Sequence, residues 1–188
     1  MSKPRIASLF LAPLLLLLAA AADGPSGPRY TADGALVPPP DYREWVFMSA
    51  GLDMSYNEAP STMGHSMFDN VFVEPAAWAG FKRTGHWPDK TMLVLEVRGA
   101  SSKGSIIKKG QFQTTDLMGV EVHVRDEARF KGGWGFFVLN GDTPATLLPS
   151  AAECYACHQA HGAVDTTFVQ FYPTAKSIAV KAATFRGD

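Results

Sequence analysis

The segment CYACH, residues 154–158, contains the residues with the most specific chemistry in this chain. Two residues separate Cys154 from Cys157, and His158 follows the second cysteine directly. One turn of a helix brings residues three apart onto the same side, so both thiols can meet a single partner while the adjacent imidazole reaches a metal. Haem attachment sites, zinc sites and redox-active cysteine pairs all use such residues.

The spacing favours covalent attachment of haem. In Cys-x-x-Cys-His the two thiols add to the two vinyl groups of a porphyrin, and the histidine supplies an axial nitrogen to the iron. A zinc site that adds His161 would require His158 to turn inward beside its neighbouring cysteine. A thioredoxin-type pair would instead lie at the start of a helix after an early strand. We therefore expect one covalently bound haem c, attached through Cys154 and Cys157, with His158 as the axial ligand of the iron.

The helix that carries this motif is predicted to follow a run of strands. The segment VEVHVRDE alternates cleanly, with Val120, Val122 and Val124 on one face and Glu121, His123 and Arg125 on the other. The polar face is consistent either with solvent or with the wall of a haem cavity. Further strands are predicted at 44–52, 67–73, 91–97 and 134–139, and helices at 75–85, 149–158 and 173–185. The pattern indicates an α+β domain, an antiparallel sheet with helices packed on it and the haem attached near the C-terminus.

The N-terminal segment is typical of an export signal. Residues 1–22 combine a basic start, a short apolar run and small residues before Asp23, which predicts cleavage near Ala22 and a periplasmic location. Residues 23–40 are rich in glycine and proline and are predicted to be a flexible lead-in, so that a single domain spans 41–188. No later apolar run is long enough to cross a membrane, so we expect no membrane-spanning segment in the mature form. The near balance of 17 basic and 18 acidic residues argues against nucleic acid as a partner.

The sequence offers no clear sixth ligand for a haem iron. Electron-transfer cytochromes often use a methionine after the haem motif, but none follows it here. His161 lies too close to His158 to reach the opposite side of a porphyrin, and His65 and His86 fall in predicted loops. An open coordination position is therefore expected. A methionine from an earlier strand could still reach the iron, although core packing or surface cover is the favoured interpretation of these residues. The methionines that precede the motif, apart from Met1, are Met48, Met54, Met63, Met67, Met92 and Met118.

Several segments resemble the cytochrome P-460 / cytochrome c′-β family. They are DYREWV (41–46), VFVEP with AAWAGFKRTGHWPD (71–89), GVEVHVRDEARF (119–130), and AECYACH followed by FVQFYP (152–173). The resemblance covers about residues 41–176. It implies an exported homodimer with an antiparallel sheet and one c-type haem whose distal face is open.

The resemblance also distinguishes two functional branches. In one branch a strand lysine forms a covalent bond with the haem, and its members oxidise hydroxylamine. In the other branch this bond is missing, and an apolar, aromatic pocket binds nitric oxide and carbon monoxide. The matching strand here reads TMLVLEV, with Leu95 in the place of that lysine. Leu95 and Phe68 are the candidates for the distal wall.

We therefore expect a binding protein that captures or detoxifies nitric oxide and also binds carbon monoxide, with no catalytic residue assigned. One alternative is a hydroxylamine- or nitric-oxide-oxidising enzyme with a modified haem. Another is a periplasmic electron-transfer cytochrome. Each of these functions is compatible with a redox partner.

Overall fold

The computed structural model describes residues 26–55 and 65–187. The predicted export signal, residues 1–22, and Met63 lie outside the described residues. Within the described ranges, no helix combines the length and the apolar character that a membrane span requires.

An antiparallel five-stranded sheet forms the centre of the fold, and its strands lie side by side in chain order. The strands are β1 (Val46–Leu52), β2 (Met67–Val73), β3 (Met92–Ser101), β4 (Phe112–Arg125) and β5 (Trp134–Val138). The helices are α1 (Pro75–Thr84), α2 (Glu153–His161) and α3 (Pro173–Lys181), with 3-10 turns at Tyr42–Glu44 and Val169–Phe171. The predicted α+β architecture with an antiparallel sheet is confirmed.

The two faces of β4 have different roles, as the alternation in its sequence predicts. Val120, Val122 and Val124 are buried in one apolar cluster together with Leu36 and Phe137. Because successive strand residues point to opposite faces, the residues between these valines face the other side of the sheet. That side carries the candidate site.

Helix α1 begins and ends where the sequence predicts. Pro75 occupies its first turn, where a missing N–H costs nothing, and Gly85 ends it with φ 74°, donating its N–H to the carbonyl of Phe81. A side chain at Gly85 would also come within 2.6 Å of the Ala182 side chain just after α3. Glycine at this position therefore serves both the helix end and the close approach of the C-terminal segment.

The described part of the segment before Asp41, residues 26–40, is packed, which corrects the prediction of a flexible lead-in over residues 23–40 for that part. Leu36 is fully buried and exchanges backbone hydrogen bonds with Ala145, at 2.8 Å in each direction. Nearer the start, the Gly27 N–H donates to the buried Glu74 side chain at 2.7 Å. The folded domain therefore extends to the N-terminal side of residue 41. Composition alone is misleading here because one buried leucine and backbone pairing anchor a strap that is otherwise rich in glycine and proline.

Candidate functional site

Helix α2 carries Cys154, Cys157 and His158. Both cysteines are free thiols and are half-buried. Burial raises the pKa of each thiol, and the negative charge of Glu121 adds to the effect at Cys154. A raised pKa disfavours the thiolate form that metal binding and disulfide exchange require. Among the described residues, no group of three or more His, Cys, Asp or Glu side chains is arranged to hold a metal ion, and His161 does not complete one with the motif.

The His158 ring is oriented by one backbone hydrogen bond. Its Nδ1 donates to the carbonyl oxygen of Thr166 at 2.7 Å. With the proton on Nδ1, the Nε2 atom keeps its lone pair, which is the form of an imidazole that binds iron. Burial lowers the pKa of His158, although the Thr166 carbonyl opposes this, and a low pKa also favours the neutral ring.

Aromatic rings surround the His158 imidazole. The ring centroids of Phe168, Phe136 and His123 lie 4.3, 4.7 and 4.8 Å from its own centroid. Neighbours on several sides restrict rotation of the imidazole, so its direction is set before any partner binds.

A cavity of about 740 Å³ lies between this ring and the sheet. That volume falls within the range of pockets that enclose cofactors. Its apolar lining comes mainly from alternate residues of the strands and from rings near the C-terminus, and Val94 and Val122 of the other apolar cluster also reach it. These apolar residues are Leu52, Met54, Met67, Val71, Leu93, Val94, Leu95, Val97, Met118, Val122, Phe136, Phe168, Phe171 and Tyr172. The size, the lining and an imidazole with a free Nε2 at one wall all fit a haem held by α2.

The structure brings one of the two predicted distal residues to the cavity. Leu95 lines the cavity, and in the sheet it is paired with Val71 on one side and Glu121 on the other. Phe68 does not line it, whereas its neighbours Met67 and Asp69 do. Because alternate strand residues share a face, Phe68 belongs to the opposite face of β2. The prediction that Phe68 walls the cavity is therefore wrong.

The cavity lining is not entirely apolar, which corrects the expectation of an apolar and aromatic pocket. Asp69 and Glu121 both line it. Burial, followed by the negative charges of Glu121 and Asp53, raises the pKa of Asp69 to about 6. Burial also raises the pKa of Glu121. The sequence analysis missed Asp69, although its two-residue spacing from Met67 and Val71 identifies its face once one of them is placed.

The sequence left open whether Glu121, His123 and Arg125, on the polar face of β4, meet solvent or the cavity. Glu121 and His123 line the cavity. His123 is 7% exposed, and its Nε2 has no hydrogen-bond partner among the described residues. Arg125 instead binds the Trp87 carbonyl at 2.6 Å and the Glu127 carboxylate at 2.6 Å. Of the methionines that precede the motif, Met54, Met67 and Met118 line the cavity.

A family model described as Cytochrome P460 matches residues 39–169. A search of curated proteins found no similar sequence.

Proposed function

Because the chain belongs to the Cytochrome P460 family and is therefore a haem-binding cytochrome, we propose that it holds one covalent haem c on α2. Cys154 and Cys157 form the thioether bonds, and His158 binds the iron through Nε2. The hydrogen bond from His158 to Thr166 and the cavity in front of the ring support this assignment.

The function supported best is reversible capture of nitric oxide, with carbon monoxide as a second ligand. The observation that carries it is the position of Leu95, which lines the cavity where the family resemblance leads us to expect a cross-linking lysine. When bound, haem supplies an iron with an open coordination position for a diatomic molecule. The side chains of Leu95, Val71 and Leu93 give the cavity an apolar surface, which would disfavour water beside a bound haem and admit a small uncharged ligand.

Oxidation of hydroxylamine is the second candidate, and the two cavity carboxylates favour it. This reaction releases several protons, and a base within the cavity would accept them. Asp69, with a pKa near 6, has the proton affinity that such a role requires at neutral pH. Leu95 remains the argument against this candidate, because no lysine lines the cavity among the described residues.

Intact mass and absorption spectra of the haem-loaded protein separate these functions. Nitric oxide capture requires a mass increase of one haem joined by two thioether bonds, and a reduced spectrum that changes on addition of carbon monoxide or nitric oxide. A third covalent bond to the haem, or steady turnover of hydroxylamine with an electron acceptor, would favour the enzyme instead. A reduced spectrum of six-coordinate low-spin iron that does not change on addition of carbon monoxide would contradict gas capture and favour electron transfer.

The same measurements on variants test haem attachment and the role of the cavity carboxylates separately. Cys154→Ser combined with Cys157→Ser should lose covalent haem altogether, since both thioether bonds depend on these sulfurs. Asp69→Asn and Glu121→Gln preserve side-chain volume and remove the cavity bases. Gas binding should persist in both variants, whereas hydroxylamine turnover, if it occurs in the unaltered protein, should fall.

Location and assembly follow as parts of the proposal. We expect the chain to be exported to the periplasm with cleavage near Ala22, to form a homodimer and to exchange electrons with a redox partner. N-terminal sequencing of the exported protein tests the cleavage position. Sedimentation equilibrium of the haem-loaded protein tests the dimer.

A further inference from the structure

The carbonyl that accepts the His158 hydrogen bond belongs to a backbone turn of unusual conformation. Asp165 and Thr166 have φ values of 46° and 60°, in the left-handed region that residues other than glycine rarely adopt. Such a conformation persists only where surrounding contacts hold it. The identity of those contacts therefore matters for the orientation of His158.

The side chain of Asp165 supplies the contacts that hold this turn. Its carboxylate accepts hydrogen bonds from the Trp87 backbone N–H at 2.9 Å and from His86 Nδ1 at 3.0 Å. The guanidinium of Arg125, on β4, lies 3.3 Å from the same carboxylate. Three groups from the α1–β3 connection and from the sheet thus converge on one side chain that is 17% exposed.

The next residues reinforce the same connection. The indole N–H of Trp87 donates to Thr167 Oγ1 at 2.8 Å, and Thr167 Oγ1 donates to the carbonyl of Val164 at 2.6 Å. Trp87 is 1% exposed, so this side of the turn rests on a rigid part of the core. Only the peptide unit between Asp165 and Thr166 separates the anchored carboxylate from the residue whose carbonyl binds His158.

We propose that Asp165 is a positioning residue for His158. The inference rests on the proposed function in one respect, namely that His158 binds the haem iron. Asp165 fixes the direction of the Thr166 carbonyl through its bonds to Trp87 and His86. Outer partners of this kind set the ring orientation and the basicity of a metal-bound histidine. Asp165 thereby raises electron donation from His158 and favours oxidised iron.

The test uses the haem-loaded protein and two readouts that do not depend on activity. One is the iron–imidazole stretching band of the reduced protein in resonance Raman spectra, and the other is the reduction potential. Asp165→Asn retains an oxygen that can accept from Trp87 but removes the charge. We expect the stretching band to shift to lower frequency and the potential to rise. Asp165→Glu should restore both towards the original values, because it restores the charge.

Two further variants serve as controls: one alters a partner of Asp165, and the other removes a charge outside the turn. His86→Gln changes an exposed partner of Asp165, so folding is retained, and it should cause a smaller shift in the same direction. Asp142→Asn removes one exposed charge elsewhere and should leave the stretching band unchanged. The inference is overturned if the band in Asp165→Asn and His86→Gln equals that of the unaltered protein. If the unaltered protein lacks an iron–imidazole band, the proposed function fails instead.

Discussion

The imidazole rings of His123 and His158 lie edge to face, with 4.8 Å between centroids and 73° between planes. His123 also stacks on Phe136 at 4.0 Å, with only 11° between the rings. Its Nε2 is buried without a hydrogen-bond partner among the described residues. His123 therefore contributes to the packing around His158 as an aromatic ring, and its polar nitrogen is an energetic cost.

Replacing His123 with phenylalanine should stabilise the protein. The new ring retains the stacking on Phe136 and removes a buried polar atom whose desolvation is not compensated. Leaving such an atom unpaired costs about 1–3 kcal/mol, so we expect the free energy of unfolding to rise by about 1 kcal/mol. Denaturant unfolding of the haem-loaded protein, followed by fluorescence, measures this change.

His123→Ala is the matched control. It removes the same nitrogen but leaves a void beside His158, and large-to-small core substitutions cost about 2–5 kcal/mol. The two variants should therefore shift the unfolding midpoint in opposite directions. If phenylalanine destabilises the protein as strongly as alanine, then Nε2 has a partner in the haem-loaded protein, and the packing role is incomplete.

Leu95→Ala should speed the entry of gas ligands into the cavity. Truncation widens the space that Leu95 fills between Val71 and Glu121. We expect the association rate of carbon monoxide with the reduced protein to rise by up to about tenfold, which corresponds to a barrier lower by about 1.4 kcal/mol. Flash photolysis measures the rate. Phe68→Ala is the control, because Phe68 faces away from the cavity, and equal rates in both variants would contradict the placement of Leu95.

Removing the Asp69 carboxylate should stabilise the protein at neutral pH but not in acid. The pKa of Asp69 is about 6 in the fold, against an ordinary value of 3.8, so the folded state binds more protons between these values. Stability therefore falls as pH rises through this window. Because Asp69 is partly exposed, solvent screening reduces the penalty to about 1 kcal/mol.

Urea unfolding of Asp69→Asn and of the unaltered protein at about pH 7.5 and about pH 4 tests this sign. The variant should be more stable at the higher pH, and the difference should be much smaller at the lower one, which lies close to the ordinary pKa of 3.8. Asp142→Asn is the matched control, because it makes the same charge change at an exposed position. A constant difference at both pH values would mean that Asp69 ionises normally in the fold.

Local patterns in the sequence predict much of this fold. The alternation around Val120–Val124 and the Pro75 and Gly85 signals of α1 depend on neighbouring residues, and the structure agrees with them. The assignment of Phe68 failed for a different reason. Strand periodicity separates the two faces of β2 but does not say which one meets the cavity, and that depends on the helices that pack against the sheet.

The fine geometry of the site depends on contacts between residues distant in sequence. Spacing within the chain identifies His158, but its hydrogen bond to Thr166 requires a left-handed turn anchored by Trp87 and Arg125. Nothing in the segment from 159 to 166 specifies those partners. The buried strap around Leu36 escaped prediction for the same reason, since its pairing residue, Ala145, lies more than a hundred positions away.

Gly162→Ala should disturb the axial histidine without any backbone strain of its own. Gly162 has φ −67° and ψ 125°, which alanine adopts readily. A methyl group there, however, would lie 2.5 Å from the carbonyl carbon of Thr166 and 2.7 Å from the carbonyl oxygen of His158. Both contacts are with backbone, so α2 and the turn must move apart. That separation should weaken the hydrogen bond from His158 to Thr166. The overpacking should lower the free energy of unfolding by about 1–3 kcal/mol.

Denaturant unfolding of the haem-loaded Gly162→Ala variant measures the loss of stability, and its iron–imidazole stretching band measures the effect on His158. Gly187→Ala, at a position with open space around it, should change neither. An unchanged band in Gly162→Ala would mean that the close approach of helix and turn does not orient His158.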